Sequence, residues 1–302
     1  MGKMSSGKII TIIAGCMAFL FIFSGCCFFL GIISGNFPET RRAANIYEIR
    51  VEGLITSSQG GIIGMGSTTP ELFLAQLKAA ELDPAIRAIL VRVNSPGGSP
   101  AASQEIFEEL KKATKPVVVS VSDSCTSGAY YIACAADVIV ANRSSSVGGI
   151  GVILQAVNLE GLYDKLGIEY TTIVQGEYKD IGSTSRPMKE EEEQLLKEQT
   201  NKLYQQFMQD VAESRDMELE KVKELATGWI YLGTEALEEG LIDEVGTYND
   251  AVEVAAELGN VAEPRVTARR EISIMDLIFS YYFSEIYNRI FGNQLDQRFL
   301  YH

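Results

Sequence analysis

The chain has 302 residues, 46% of them hydrophobic, with 26 Lys+Arg against 40 Asp+Glu and a net charge of −14. That length suits one compact domain plus a membrane segment. The acidic balance speaks against nucleic-acid binding, which needs a basic face. There is one histidine, His302, at the last position. A Ser-His-Asp triad, a Cys-His pair and an HExxH zinc site are thereby excluded. Any hydrolytic chemistry must draw its general base from Lys, Asp, Glu or water. No metal-ligand cluster is evident, and no cofactor is called for.

Residues 1–8 form a short polar tail. No charged residue occurs between Lys8 and Glu39. The apolar run 9–34 is long enough to span a hydrocarbon core of about 30 Å, and it predicts a single transmembrane anchor followed by a linker over 35–44. A cleaved signal peptide and a lipoprotein are the alternatives. The second rests on Ile13-Ala14-Gly15-Cys16 and Phe23-Ser24-Gly25-Cys26. Lys3 and Lys8 on one side nearly balance Arg41 and Arg42 on the other, so charge does not orient the anchor. Cys16, Cys26 and Cys27 lie in the apolar run, and Cys125 and Cys134 read as buried thiols rather than a disulfide.

The stretch 45–258 alternates strand-like and helix-like segments, which predicts an α/β domain. Strands are expected over Asn45–Ile55, Ala88–Val93, Val117–Val121, Val138–Ala141 and Tyr170–Val174. Gln59–Thr69 reads as a Gly-rich loop. Helices are expected over Pro70–Leu82, which has proline at its start, over Ala101–Thr114 and over Glu190–Arg215. In the last of these, Leu196, Leu203, Phe207 and Val211 recur at helical spacing, and Glu190–Glu193 reads as a solvated first turn. The segment 259–302 contains a predicted apolar helix over 274–291, opened by a Ser273/Asp276 cap.

Three strings carry candidate chemistry. Asn94-Ser95-Pro96-Gly97-Gly98 follows a buried strand, and its glycines can turn backbone N–H groups toward a cleft. It is also an ordinary turn sequence. Thr126-Ser127-Gly128-Ala129-Tyr130-Tyr131 sits where a strand gives way to a helix. Ser127 there is either a nucleophile beside free N–H groups or simply a helix cap. Gly176-Glu177-Tyr178-Lys179-Asp180 places a lysine among turn residues. A lysine works as a base only when neutral, which burial promotes; the ordinary reading is an exposed pair between Lys179 and Asp180.

In this order the strings resemble the signal peptide peptidase A family of membrane serine proteases. The likeness runs from about Ile46 to Val252 and continues through Gly228-Trp229-Ile230-Tyr231 and Gly240–Gly246. It implies a ClpP/crotonase-like fold of parallel sheets with flanking helices, and a Ser-Lys mechanism through an acyl-enzyme. Ser127 would be the nucleophile and Lys179 the general base. The N–H groups of Gly98 and Gly128 would form the oxyanion hole. The substrates implied are signal-peptide remnants or other membrane-associated peptides. The short, single-copy form implies a ring-like homo-oligomer whose active sites draw on neighbouring copies. It also implies a membrane location with the catalytic domain outside the cytoplasm.

One position departs from the family pattern. Gly149 in Val147-Gly148-Gly149-Ile150-Gly151 stands where the family has a serine that orients the lysine, and Ser146 or an ordered water is the candidate substitute. Three other readings stand beside this one. They are an acyl-CoA enzyme of the same fold, a catalytically impaired membrane scaffold, and a Ser-Lys protease that clips one membrane partner.

Overall fold

The computed structural model describes residues 44–58 and 67–268. The predicted anchor over 9–34 and the tail helix over 274–291 lie outside the described residues. Among the described residues no helix is long and apolar enough to cross a membrane.

Strands β1 (Ile46–Ile55), β2 (Ser67–Thr68), β3 (Ala88–Gly98), β4 (Val117–Thr126), β5 (Val138–Ala141) and β8 (Glu244–Val245) form a parallel sheet in the order β2-β1-β3-β4-β5-β8. β6 (Ser146–Gly148) pairs with the far end of β4, and β7 (Ile230–Leu232) adds to β6 antiparallel. β9 (Val266–Ala268) pairs with the start of β1.

The near-continuous apolar runs of β3 and β4 follow from burial on both faces. On one face Val91, Val93, Val119 and Val121 pack with Phe73, Ile106, Phe107 and Phe207. These come from helices α1 (Pro70–Leu82), α2 (Pro100–Leu110) and α5 (Glu190–Ser214), with α3 (Gly128–Ala133) between them. On the other face Leu90, Val118 and Val140 meet Ala251 and Ala255 of α8 (Tyr248–Leu258). Each fully buried aliphatic side chain in such a core contributes about 1.5–3 kcal/mol. The remaining helices are α4 (Glu160–Leu166), α6 (Leu219–Leu225) and α7 (Gly233–Glu238).

Several expected boundaries move. β3 does not stop at Val93 but carries Asn94–Gly98 in extended form, because Leu54 and Ile55 of β1 continue to pair with Gly97 and Gly98. β4 likewise runs on to Thr126, where β6 gives it a new neighbour. α2 starts at Pro100, capped by the Ser99 hydroxyl, which accepts from Ala102 N at 3.4 Å. It ends at Leu110 rather than Thr114, since Pro116 disfavours helical geometry just before it. Of the predicted 59–69 loop, Ser67–Thr68 is a short strand on β1, and 59–66 lie outside the described residues.

The strand expected over 170–174 is absent: these residues pair with no strand among the described residues. The excursion from Gly151 to Lys189 holds only α4, none of whose residues is buried. Ile153 and Ile173 are 86% and 88% exposed. α5 is about 37 Å long at 1.5 Å per residue. Its buried apolar residues, Phe207, Met208, Val211 and Ala212, all fall in its second half.

Candidate active site

The glycine and serine strings lie at the carboxyl ends of parallel strands, the usual place for a site in an open α/β sheet. Register brings them together: Ser95 lies beside Cys125, Cys125 beside Val147, and Thr126 beside Gly148. Ser127 follows β4 directly, with φ 53° and ψ −127°. A non-glycine residue held there stores on the order of 1–3 kcal/mol of strain. The surroundings enforce it. Ser127 N donates to Gly148 O at 2.8 Å, and Ser127 O accepts from Tyr131 N at 3.0 Å.

Ser127 occupies the N-cap position of α3, yet its hydroxyl makes no capping hydrogen bond. Its capping role is therefore set aside. It lines a cavity of about 120 Å³ together with Gly98, Pro100, Gly128, Tyr131 and Phe207.

The glycines are required by close approach. A Cβ on Gly97, where φ is +96°, would lie 2.7 Å from Gly128 N and 2.8 Å from Ser127 Cβ. A Cβ on Gly128 would overlap the Ser103 hydroxyl and sit 3.4 Å from Gly98 N. The backbone amides of residues 98 and 128 thus crowd around the serine. Two backbone donors beside a nucleophile are what stabilisation of a tetrahedral oxyanion needs.

The cavity's wall is aromatic. Tyr131 stacks on Phe107 with centroids 4.6 Å apart and tilts against Phe207 at 5.0 Å. Its hydroxyl donates to the carboxylate of Asp210, and burial together with that bond pushes its pKa up. Leu203 and Gln206 of α5 and Gln104 of α2 complete the lining. None of these was singled out from sequence as a site residue. The helical spacing of Leu203 and Phe207 was the available signal, and it reads equally well as core.

Lys179 is elsewhere. It is exposed, in turns between Gly176 and Gly182, and it does not line the cavity. The expected pairing with Asp180 does not occur. Asp180 instead accepts from Arg186, at 2.7 Å from Nε and 2.9 Å from Nη2. The same guanidinium reaches Glu192, at 2.9 Å from Nη1 and 2.6 Å from Nη2. Glu192 also accepts from Lys189 N at 2.9 Å.

Glu192 was expected in a solvated first turn. It is 0% exposed, because the loop folds over it. The Arg186 hydrogen bonds, with that from Lys189 N, bring its carboxyl down to about 2. Asp180 is lowered too, first through its hydrogen bonds to Arg186. The Lys179 loop is therefore tied to the first turn of α5. Fifteen residues, about 22 Å of helix, separate Glu192 from Phe207 at the cavity.

Gly149 has φ +59°, and a Cβ on it would meet Thr126 Cβ at 3.4 Å and Ser127 N at 3.5 Å, ordinary contacts. Ser146 pairs beside Ser124, one same-face step of roughly 7 Å along the strand from Gly148, and does not line the cavity. Cys125 and Cys134 are free and buried, as expected. Among the described residues no group of three or more His, Cys, Asp or Glu side chains is placed to hold a metal ion.

A family model described as peptidase family S49 matches residues 109–262, just over half of the chain. The chain belongs to peptidase family S49. It is a serine protease. A Clp protease model matches residues 60–147, in line with the ClpP-like sheet.

A protein named as a protease in Methanocaldococcus jannaschii is 42% identical over 209 residues, 68% of this chain and 67% of that one. One from Enterococcus faecium, named as a signal peptide peptidase SppA, is 36% identical over 212 residues, 69% of this chain and 62% of that one. The matching stretch thus spans about two thirds of the length of these relatives. A solved structure of the 1510-N membrane-bound stomatin-specific protease, in complex with a substrate peptide, superposes with a TM-score of 0.53 at 18% identity. It covers 80% of this chain and 100% of that one, and it supports the fold.

Proposed function

We propose that this S49 protease is a membrane-anchored endopeptidase that cuts signal-peptide remnants or other membrane-associated peptides with a Ser127–Lys179 dyad. The observation that carries the reading is Ser127 itself. It is strained and uncapped, and it lies beside the amides of Gly98 and Gly128 at the mouth of an apolar cavity.

In this mechanism the neutral Lys179 amine takes the Ser127 proton as Oγ attacks the scissile carbonyl. The N–H groups of Gly98 and Gly128 receive the oxyanion. Collapse breaks the C–N bond, and the Lys179 ammonium returns the proton to the leaving amine. Water then attacks the acyl-enzyme as Lys179 takes its proton; the second tetrahedral intermediate collapses, the ester C–O bond breaks, and the Lys179 ammonium returns the proton to Ser127 Oγ. The cavity takes an apolar side chain next to the cut.

Within one chain the Lys179 loop is fastened at the far end of α5 from the cavity. This favours an assembly, a homo-oligomeric ring, in which one copy's Lys179 serves another copy's Ser127. The exposed Ile153 and Ile173 of the same excursion would be covered by that neighbour. The reading of the substrate class is supported by two similar proteins, a signal peptide peptidase and a membrane-bound stomatin-specific protease. The second of them also keeps open a protease that clips one membrane partner.

The test uses detergent-solubilised full-length chain and a fluorogenic peptide with an apolar residue before the cut. Ser127→Ala and Lys179→Ala should each be inactive. An equimolar mixture, dissociated and reassembled, should regain a fraction of wild-type activity, because some sites then hold both intact residues. Full activity in Lys179→Ala would overturn the dyad. Two dead variants with no recovery on mixing would place the dyad within one chain.

A further inference from the structure

Four hydrogen bonds of Arg186 to carboxylate oxygens join the loop that bears Lys179 to a fully buried carboxylate on α5. Such a doubly bidentate guanidinium fixes the plane and direction of both partners. It also settles where the charge of Asp180 goes. A carboxylate next in sequence to a lysine would by default pair with the ammonium and hold it protonated. Here both oxygens of Asp180 face Arg186, and among the described residues Lys179 has no ion-pair partner.

The other charged groups of this corner are Glu177 in the loop, and Lys189, Glu191 and Glu192 from the start of α5. Lys189 acts on Asp180, and the three glutamates act on Tyr178. Glu192 is already matched by Arg186.

We propose that Arg186 is a positioning residue for the proteolytic reaction: it locks the Lys179 loop onto the first turn of α5 and holds both carboxylate oxygens of Asp180, so that this carboxylate does not turn to the amine beside it. This rests on the reading of Lys179 as the base. Arg186 never touches the peptide. It acts through the loop and through Asp180.

The test is the pH profile of kcat/KM for the assembled full-length enzyme on the fluorogenic peptide. Arg186→Met frees Asp180 next to the amine. It should lower kcat/KM at pH 7 at least tenfold and move the acid limb up by about half a pH unit or more. Adding Asp180→Asn to that variant should bring the acid limb back, and Arg186→Lys should fall between wild type and Arg186→Met. The shift should shrink in high salt, since the corner is partly exposed.

Equal loss at every pH, with no return of the limb in the double variant, would reduce Arg186 to a structural tie and overturn the proposal. Where Arg186→Met does not assemble, Asp180→Asn alone carries the test. It keeps the Arg186–Glu192 pair and should move the acid limb down, and an unmoved limb counts against the role. Failure of the dyad itself is seen separately, as activity retained in Lys179→Ala.

Discussion

The backbone N–H of Ser127 donates to the carbonyl of Gly148 at 2.8 Å. This bond ties Ser127 to the loop that carries Gly149. It places residue 149 so that an added side chain would point toward Thr126 and the Ser127 amide with ordinary contacts. Gly149→Ser should therefore be accommodated at a cost of about 1–2 kcal/mol for the left-handed backbone. Its hydroxyl would supply the partner that the family pattern gives the lysine. We expect kcat/KM to rise at neutral pH and the folded protein to melt at a lower temperature. A folded Gly149→Ser enzyme slower than wild type would show that this chain orients its lysine by another route.

The strain at Ser127 makes a second prediction. Ser127→Ala and Ser127→Gly both remove the hydroxyl, and both should be inactive. Only glycine relaxes at φ 53° and ψ −127°. Ser127→Gly should be more stable than Ser127→Ala by about 1 kcal/mol, measured as urea midpoints of the same assembly. Equal midpoints would mean the backbone there is not strained.

The Arg186–Glu192 pair predicts an acid limit on stability. In the folded chain Glu192 titrates near 2 instead of its ordinary 4.5, so the fold holds fewer protons than the unfolded chain between those values. The contribution is fully present above about pH 4.5 and fades as pH falls toward 2. Glu192→Gln should lose stability at pH 7 and show a shallower further decline between pH 4.5 and 2. A decline as steep as wild type's would assign that acid sensitivity to other carboxylates.

The cavity wall predicts specificity. Phe207 lies against Tyr131 and lines the space beside Ser127. Phe207→Leu should cost about 1 kcal/mol in stability. It should also raise kcat/KM for peptides with a bulky residue before the cut, relative to those with a small one. An unchanged ratio would place the specificity pocket elsewhere.

The sequence made the parallel sheet legible because β3 and β4 are apolar on both faces, a pattern that no amphipathic helix shares. That Ser127, Gly98 and Gly128 lie together was legible because each sits at a strand end among small residues. Other features depend on contacts that periodicity does not encode. Extension of β3 to Gly98 needs its neighbour β1. Burial of Glu192 needs a loop arriving from six residues upstream, and in a run of four glutamates nothing marks the one that is covered. Tyr170–Val174 has the composition of a strand but pairs with none among the described residues.

A 25-residue helix with the Lys179 loop fastened at its first turn and the Ser127 cavity lined from its middle has a biosynthetic consequence. Under the shared-site reading, a newly folded single copy is a latent enzyme. Local concentration is then its activator. Dilute chains in transit spare the membrane they pass through, and proteolysis begins where enough copies accumulate to meet.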